Sequence, residues 1–147
     1  MSEEHQEKAA PEGWHFHPNG GGLVQNTARV DAICYVSGNA RVSGNARVSG
    51  NARVYGDARV YGDAWVYSPL YIQGSRHSLT LSKFGWIQIG CHGNSIAWWL
   101  KNYKDVGIKE GYTPEQIEEY GQYIELFSKR PEAKELVKKE VEEAAYD

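Results

Sequence analysis

The side chains with chemical reach gather just past the middle of the chain. Arg76, His77, Trp86, Cys91, His92 and Trp98 lie close together in sequence, and Tyr55, Tyr61, Trp65 and Tyr67 come shortly before them. Cations beside flat rings suit a small anionic ligand with a planar base, because guanidinium groups bind phosphate and aromatic faces stack on the base. These ten residues are the candidate ligand site, with a second hydrophobic core as the competing reading of the rings. Cys91-His92 places a thiol beside an imidazole, the makings of a nucleophile. Neighbours in a strand point to opposite faces, however, and no third residue orients them, so Cys91 reads as a small packed hydrophobe. His15 and His17 can share one side of an extended segment, but nothing completes a metal site. No catalytic residue, metal or cofactor is expected.

What must position these groups is constrained by composition. The chain has 147 residues, 41% of them apolar, and a formal charge of −3. That suits one domain, or one with an appendage, and excludes wholesale disorder. No apolar run approaches the ~18–20 residues that cross a bilayer. Met1-Ser2-Glu3-Glu4-His5 opens without a basic or apolar leader, and two cysteines are too few for a disulfide scaffold, so a cytoplasmic protein is expected. Charge is uneven: residues 1–19 carry −3, residues 20–112 carry +5 and residues 113–147 carry −5. A basic body of this strength fits a small anion better than duplex nucleic acid, which needs dense phosphate contacts.

A six-residue beat runs through the first half. From Asn39 the chain reads NARVSG, NARVSG, NARVYG, DARVYG, DAWVYS. Val24, Val30, Val36, Val42, Val48, Val54, Val60, Val66 and Ile72 keep the beat, with a small residue two places before most of them. A helix of ~3.6 residues per turn cannot hold every sixth residue on one side. Short extended segments can, if Gly-Asn or Gly-Asp turns the chain once per hexad. Val30, Val36, Val42, Val48, Val54, Val60, Val66 and Ile72 then form the core, and each hexad must stack on the next turn to bury it.

These hexads resemble the hexapeptide-repeat family. That resemblance implies a left-handed parallel β-helix with three hexads per coil, about three coils between Gly22 and Gly74, and a homotrimer. It also implies columns: Val24-Val42-Val60, Val30-Val48-Val66 and Val36-Val54-Ile72 inside, and Arg29-Arg47-Trp65 outside. Tyr55, Tyr61 and Tyr67 would project from the three faces of the last coil. Many relatives are acyltransferases and some are zinc carbonic anhydrases, but no histidine falls within these hexads to serve either chemistry.

The rest reads as caps. Residues 1–18 form a flexible or capping segment, 19–74 the repeat, and 75–147 a C-terminal module. There, Leu79-Thr80-Leu81 and Trp86–Ile89 alternate as a hairpin around Lys83-Phe84-Gly85, followed by a Gly90–Gly93 loop. Ser95 or Asn94 caps a helix carrying Ile96, Trp99, Leu100 and Tyr103 on one face and Trp98 on the other. Thr113-Pro114-Glu115-Gln116 is a capping box that starts a second helix. A third follows Pro131. The expected fold class is mainly β with C-terminal α: a short left-handed parallel β-helix, a hairpin and two or three helices. The order HPNGGG, hexads, RHSLTL, IQIGC, WW and an acidic helix resembles small phage and prophage hexapeptide-repeat proteins. The resemblance implies a non-catalytic trimer that counteracts host defence by sequestering a nucleotide-like signal. The alternative is an inhibitor or assembly module that binds a host protein through its outward Tyr and Arg columns. Acyl transfer ranks third.

Overall fold

The computed structural model describes residues 9–132. The expected third helix, with Leu136, Val137, Val141 and Ala144 on one face, lies outside the described residues. The chain opens with β1 (Trp14–Phe16) and β2 (Leu23–Gln25). Each following hexad then makes a two-residue strand: β3 (Arg29–Val30), β4 (Tyr35–Val36), β5 (Arg41–Val42), β6 (Arg47–Val48), β7 (Arg53–Val54) and β8 (Arg59–Val60). Valine suits an extended backbone, and its inward branch is fully enclosed at positions 24, 36 and 42. Arg29, Arg41, Arg47 and Arg53 project into solvent.

The strands pair in parallel with partners eighteen residues on. Val24 lies beside Val42 and Val42 beside Val60; Val30 lies beside Val48, and Val36 beside Val54. The glycine corners make this stacking possible. Gly44 has φ 63°, and a Cβ there would strike the carbonyl oxygen of Tyr61 in the next layer. Only glycine meets both demands without strain. The three ladders remain open sheets, ordered β1-β2-β5-β8, β3-β6-β9 and β4-β7. The first residues cover their near end: β1 pairs antiparallel with β2, and the Val36 amide donates to Asn19 O at 3.0 Å.

The beat breaks once. In β9 (Ala64–Trp65), Trp65 pairs beside Val48 and Ala64 beside Arg47, an offset of seventeen. One residue of slip turns every side chain over. Val66, expected in the core, is 66% exposed, and Trp65, expected outside on the arginine column, is 0% exposed. Ala64, expected inside, is exposed. The physical reason is the indole. Its ring meets Phe84 edge-on at 5.1 Å, and its N–H donates to Gly62 O at 2.8 Å. Burying an indole gains far more apolar contact than burying a valine. The shortened corner puts Asp63 at φ 68°, held by the Phe84 amide donating to Asp63 Oδ2 at 2.7 Å.

After the slip the chain leaves the stack. β10 (Tyr71–Gln73) joins β11 (Ser78–Lys83), β12 (Trp86–Ile89) and β13 (His92–Ser95) in an antiparallel sheet. Ile72 therefore lies beside Leu79, half-buried, and not on the Val36-Val54 column. Side chains take over where a further parallel strand would have paired. The amides of Arg53, Asp57 and Arg59 donate to Ser68 Oγ, Tyr71 Oη and Thr80 Oγ1 at 2.9, 3.1 and 3.2 Å. That answers the open-edge problem without a further parallel strand. The stretch expected as a loop at Gly90–Gly93 is a turn followed by a strand, since His92 and Gly93 pair with Ile89 and Gln88.

Two helices close the fold. α1 (Ile96–Lys109) is capped by Ser95, whose hydroxyl accepts from the Trp98 amide, and α2 (Pro114–Ser128) carries the full Thr113–Gln116 capping box. Leu79, Leu81, Ile87 and Ile89 share one face of the sheet and belong to one buried core with Ile96, Trp99, Ile124 and Phe127. Leu100, expected on the packed face of α1, is largely exposed. Among the described residues no helix is long and apolar enough to cross a membrane.

Candidate functional site

A small cleft, with a cavity of about 90 Å³, lies between the antiparallel sheet and the two helices. Its walls are largely aromatic: Trp99 and Tyr103 from α1, Tyr112 from the interhelical turn, and Tyr120 from α2. His77, Cys91 and His92 line it as well, so three of the ten sequence candidates come together here, beside the Glu110 carboxylate and the aliphatic side chains of Ile89, Val106, Ile117 and Ile124. His77 is placed by its neighbours. Its ring stacks on Tyr112 at 16° between planes, and Nδ1 shares a 2.5 Å hydrogen bond with the Tyr112 hydroxyl. Burial first, and then Tyr120 beside it, pushes Tyr112 up to about 12, so it stays an O–H at neutral pH. The Arg76 guanidinium sits 4.5 Å from the Tyr112 ring centre. His92 is held between indoles, 5.2 Å from Trp98 and 4.7 Å from Trp99.

Glu119 fastens the turn between β10 and β11, which carries Arg76 and His77, to α2. Its carboxylate accepts from the Ser75 amide and hydroxyl at 3.0 and 2.5 Å and from Tyr123 Oη at 2.7 Å. The Ser75 hydroxyl, followed by that of Tyr123, holds this carboxyl below its ordinary value. A depressed carboxyl pKa contributes stability that is present above the unfolded value and lost as pH falls through the folded one. The melting-temperature advantage of wild type over Glu119→Gln should therefore be full at neutral pH and shrink as pH drops below about 4.5, the ordinary value. A pH-independent gap in thermal scans would contradict this.

The other candidates lie elsewhere. Trp65 is core and cannot touch a ligand. Trp86 alternates with Ile87 and Ile89, so it occupies the opposite face of β12, where Lys83 Nζ lies 4.4 Å from its ring. Trp98 supports His92 without lining the cleft. Tyr55 packs edge-on against Tyr71, and Tyr61 is half-buried with its amide donating to Ser82 O. Tyr67 donates to the buried Glu132, and burial, followed by that carboxylate, pushes it up to about 12. Cys91 is an exposed free thiol, and Cys34 is buried, its thiol pushed up by burial. His15 bonds Asn26, while His17 is buried and its Nε2 donates to Cys34 O at 2.7 Å. The two imidazoles thus serve separate hydrogen bonds.

A second concavity of about 760 Å³ runs along the β2-β5-β8 ladder. Arg41, Arg59 and Arg76 line it with Asp57, and His77 forms a wall common to it and the cleft. Sequence reasoning passed over Arg41, Arg59, Trp99, Tyr103, Tyr112 and Tyr120. The Arg41-Arg59 column was implicit in the Val42-Val60 column one residue along. Nothing local in the sequence marks the tyrosines as a group, because the fold brings them from two helices and the turn between them to one wall.

Three overlapping stretches of the chain, residues 36–50, 40–55 and 52–68, match the family model described as YdcK Beta solenoid repeat. The hexads are similar to a β-solenoid repeat family. The matched stretches cover β5 to β9 of the parallel ladders and stop short of the cleft, so they speak to the repeat alone. No curated protein matches the chain, and no solved structure does.

Proposed function

We propose that the protein is a non-catalytic binding protein that captures a nucleotide-like anionic small molecule. The observation that supports this is the cleft: Trp99, Tyr103 and the stacked His77–Tyr112 pair form flat walls, with the Arg76 cation on the Tyr112 ring at their edge. A base stacks between aromatic faces, and the guanidinium takes the charge of a phosphate. The wider proposal has three parts. The repeat winds as a left-handed parallel β-helix of about three coils. The chain forms a homotrimer in which a sister copy covers each ligand. The protein works in the cytoplasm of a bacterial host, as a phage product that withdraws a signal from host defence.

Thermal-shift screening with cyclic and linear nucleotides tests the capture, and light scattering tests the trimer. A nucleotide should raise the melting temperature of wild type and not of Tyr112→Ala. Failure of every nucleotide to stabilise the protein, with capture of a host protein from lysate, would replace this reading by the second. That second reading, a protein-binding module, is favoured by one surface. Tyr35 stacks under the Arg53 guanidinium at 5.9 Å, and Ile33 and Tyr55 are 68% and 48% exposed. Acyl transfer ranks below both; transfer from coenzyme A that is lost in His92→Ala would revive it.

A further inference from the structure

We infer that Arg41, Arg59 and Arg76 form a groove that binds oligophosphate, joined to the aromatic cleft through His77. This deepens the reading above and rests on it only for the planar end of the ligand. The groove takes the other end, and it selects for adjacent phosphoryl groups.

β5 and β8 pair so that Arg41 lies beside Arg59. At a strand spacing of ~4.8 Å two guanidinium stems run side by side, and like charges directly opposite one another repel. Among the described residues, the carboxylates in ion pairs are Glu125 and Glu132, and neither pairs with these arginines. Arg76 enters the same concavity from the segment between β10 and β11. The acidic group in the lining is Asp57, and its Oδ1 already accepts from Asn39 Nδ2 at 3.3 Å. Three arginines against one aspartate leave the lining with an excess of two positive charges.

The repeat alone does not account for this. Arg29 and Arg47 form an equivalent in-register pair on β3 and β6, and they line neither the cleft nor the groove. On the β5-β8 face walls rise beside the arginines, from Phe16 and from the Gln73–Ser78 turn. A concave site with an excess of positive charge focuses its field on an anion more than a flat column does. Each guanidinium offers a planar fork that matches two phosphate oxygens. Two such forks one strand apart, with a third in the same lining, fit adjoining phosphoryl groups better than one monophosphate. The ligand class is therefore a nucleoside di- or triphosphate, or another base that carries a pyrophosphate linkage.

Calorimetric titration of the full chain with inorganic tripolyphosphate and, separately, with adenosine tests the groove and the cleft apart. Tripolyphosphate should bind wild type, weaken as sodium chloride rises, and lose about tenfold or more in affinity in R41Q/R59Q. Arg76→Gln, a single change at an exposed position, should lose affinity as well. R29Q/R47Q should bind as wild type does, with urea melts confirming that every variant is folded. Absence of tripolyphosphate binding to wild type overturns the inference, and so does an equal loss in R29Q/R47Q, which would reduce it to bulk charge. Adenosine that binds while tripolyphosphate does not overturns the groove and leaves the cleft. The converse result supports the groove and removes the cleft.

Discussion

Trp65→Ala is expected to lower the unfolding free energy by about 3–5 kcal/mol, the usual cost of truncating a buried large aromatic side chain. Val66→Ala is expected to change it by no more than about 0.5 kcal/mol, as exposed substitutions do. Urea unfolding followed by circular dichroism measures both. The contrast matters because an unbroken six-residue beat assigns the opposite roles, with Val66 inside and Trp65 outside. Trp65 is fully enclosed, bonded through its N–H to Gly62 O, and packed edge-on against Phe84 of the β11–β12 turn. Its removal leaves a cavity where the solenoid meets the antiparallel sheet, and Phe84 and Tyr67 both lose a ring contact. If Val66→Ala proved the costlier change, the slip at Asp63 would be wrong.

The second large effect comes from deleting one oxygen. Tyr120 is buried, and its hydroxyl accepts from the amides of Arg76 and His77 at 3.0 and 2.6 Å while donating to His77 O at 2.6 Å. Tyr120→Phe keeps the ring, its edge contacts with Tyr112 and Tyr123, and the volume. It leaves two amides and a carbonyl without that partner, at about 1–3 kcal/mol for each that stays dry. We expect a net loss of about 2–4 kcal/mol in urea unfolding, since some of these groups find water. The site should suffer beyond its share of stability. Both ligand-facing side chains of the turn, Arg76 and His77, hang from this oxygen, so nucleotide stabilisation should fall in Tyr120→Phe under conditions where the variant is fully folded. Unchanged stabilisation would mean that the turn holds its shape through Glu119 alone.

Much of the architecture was legible because it depends on local rules repeated many times. A hexad with valine, a small residue and glycine states its own geometry. The six-residue spacing excludes a helix, the glycine sets the corner, and valines eighteen residues apart lie side by side wherever that spacing is kept. The capping box at Thr113 and the Ser95 cap were readable for the same reason, since each involves residues within one turn of helix. The departures share a different cause. Trp65, Val66 and Ile72 sit where the repeat meets the rest of the chain, and there packing against Phe84 and pairing with Leu79 outweigh the period.

The candidate site divides along the same line. His77, Cys91 and His92 stand out by type, and the fold gathers them. Trp86 stands out by type as well, but strand alternation sends it to the other face of its own sheet. Tyr112 and Tyr120 had no local signal. Their importance comes from distance bridged, since Tyr112 reaches His77 across 35 positions and Tyr120 reaches it across 43.

By itself, then, the sequence determined a stacked hexad repeat with valine inside and arginine outside, and two capped helices after it, because these follow from short-range backbone preference and period. Only the tertiary structure decided where the beat breaks, which tryptophan becomes core, and which rings meet across the sheet and helices. Those outcomes depend on the shape and hydrogen-bonding demands of surfaces distant in the chain, and a buried indole or a shared hydroxyl can outweigh a local pattern by a few kcal/mol.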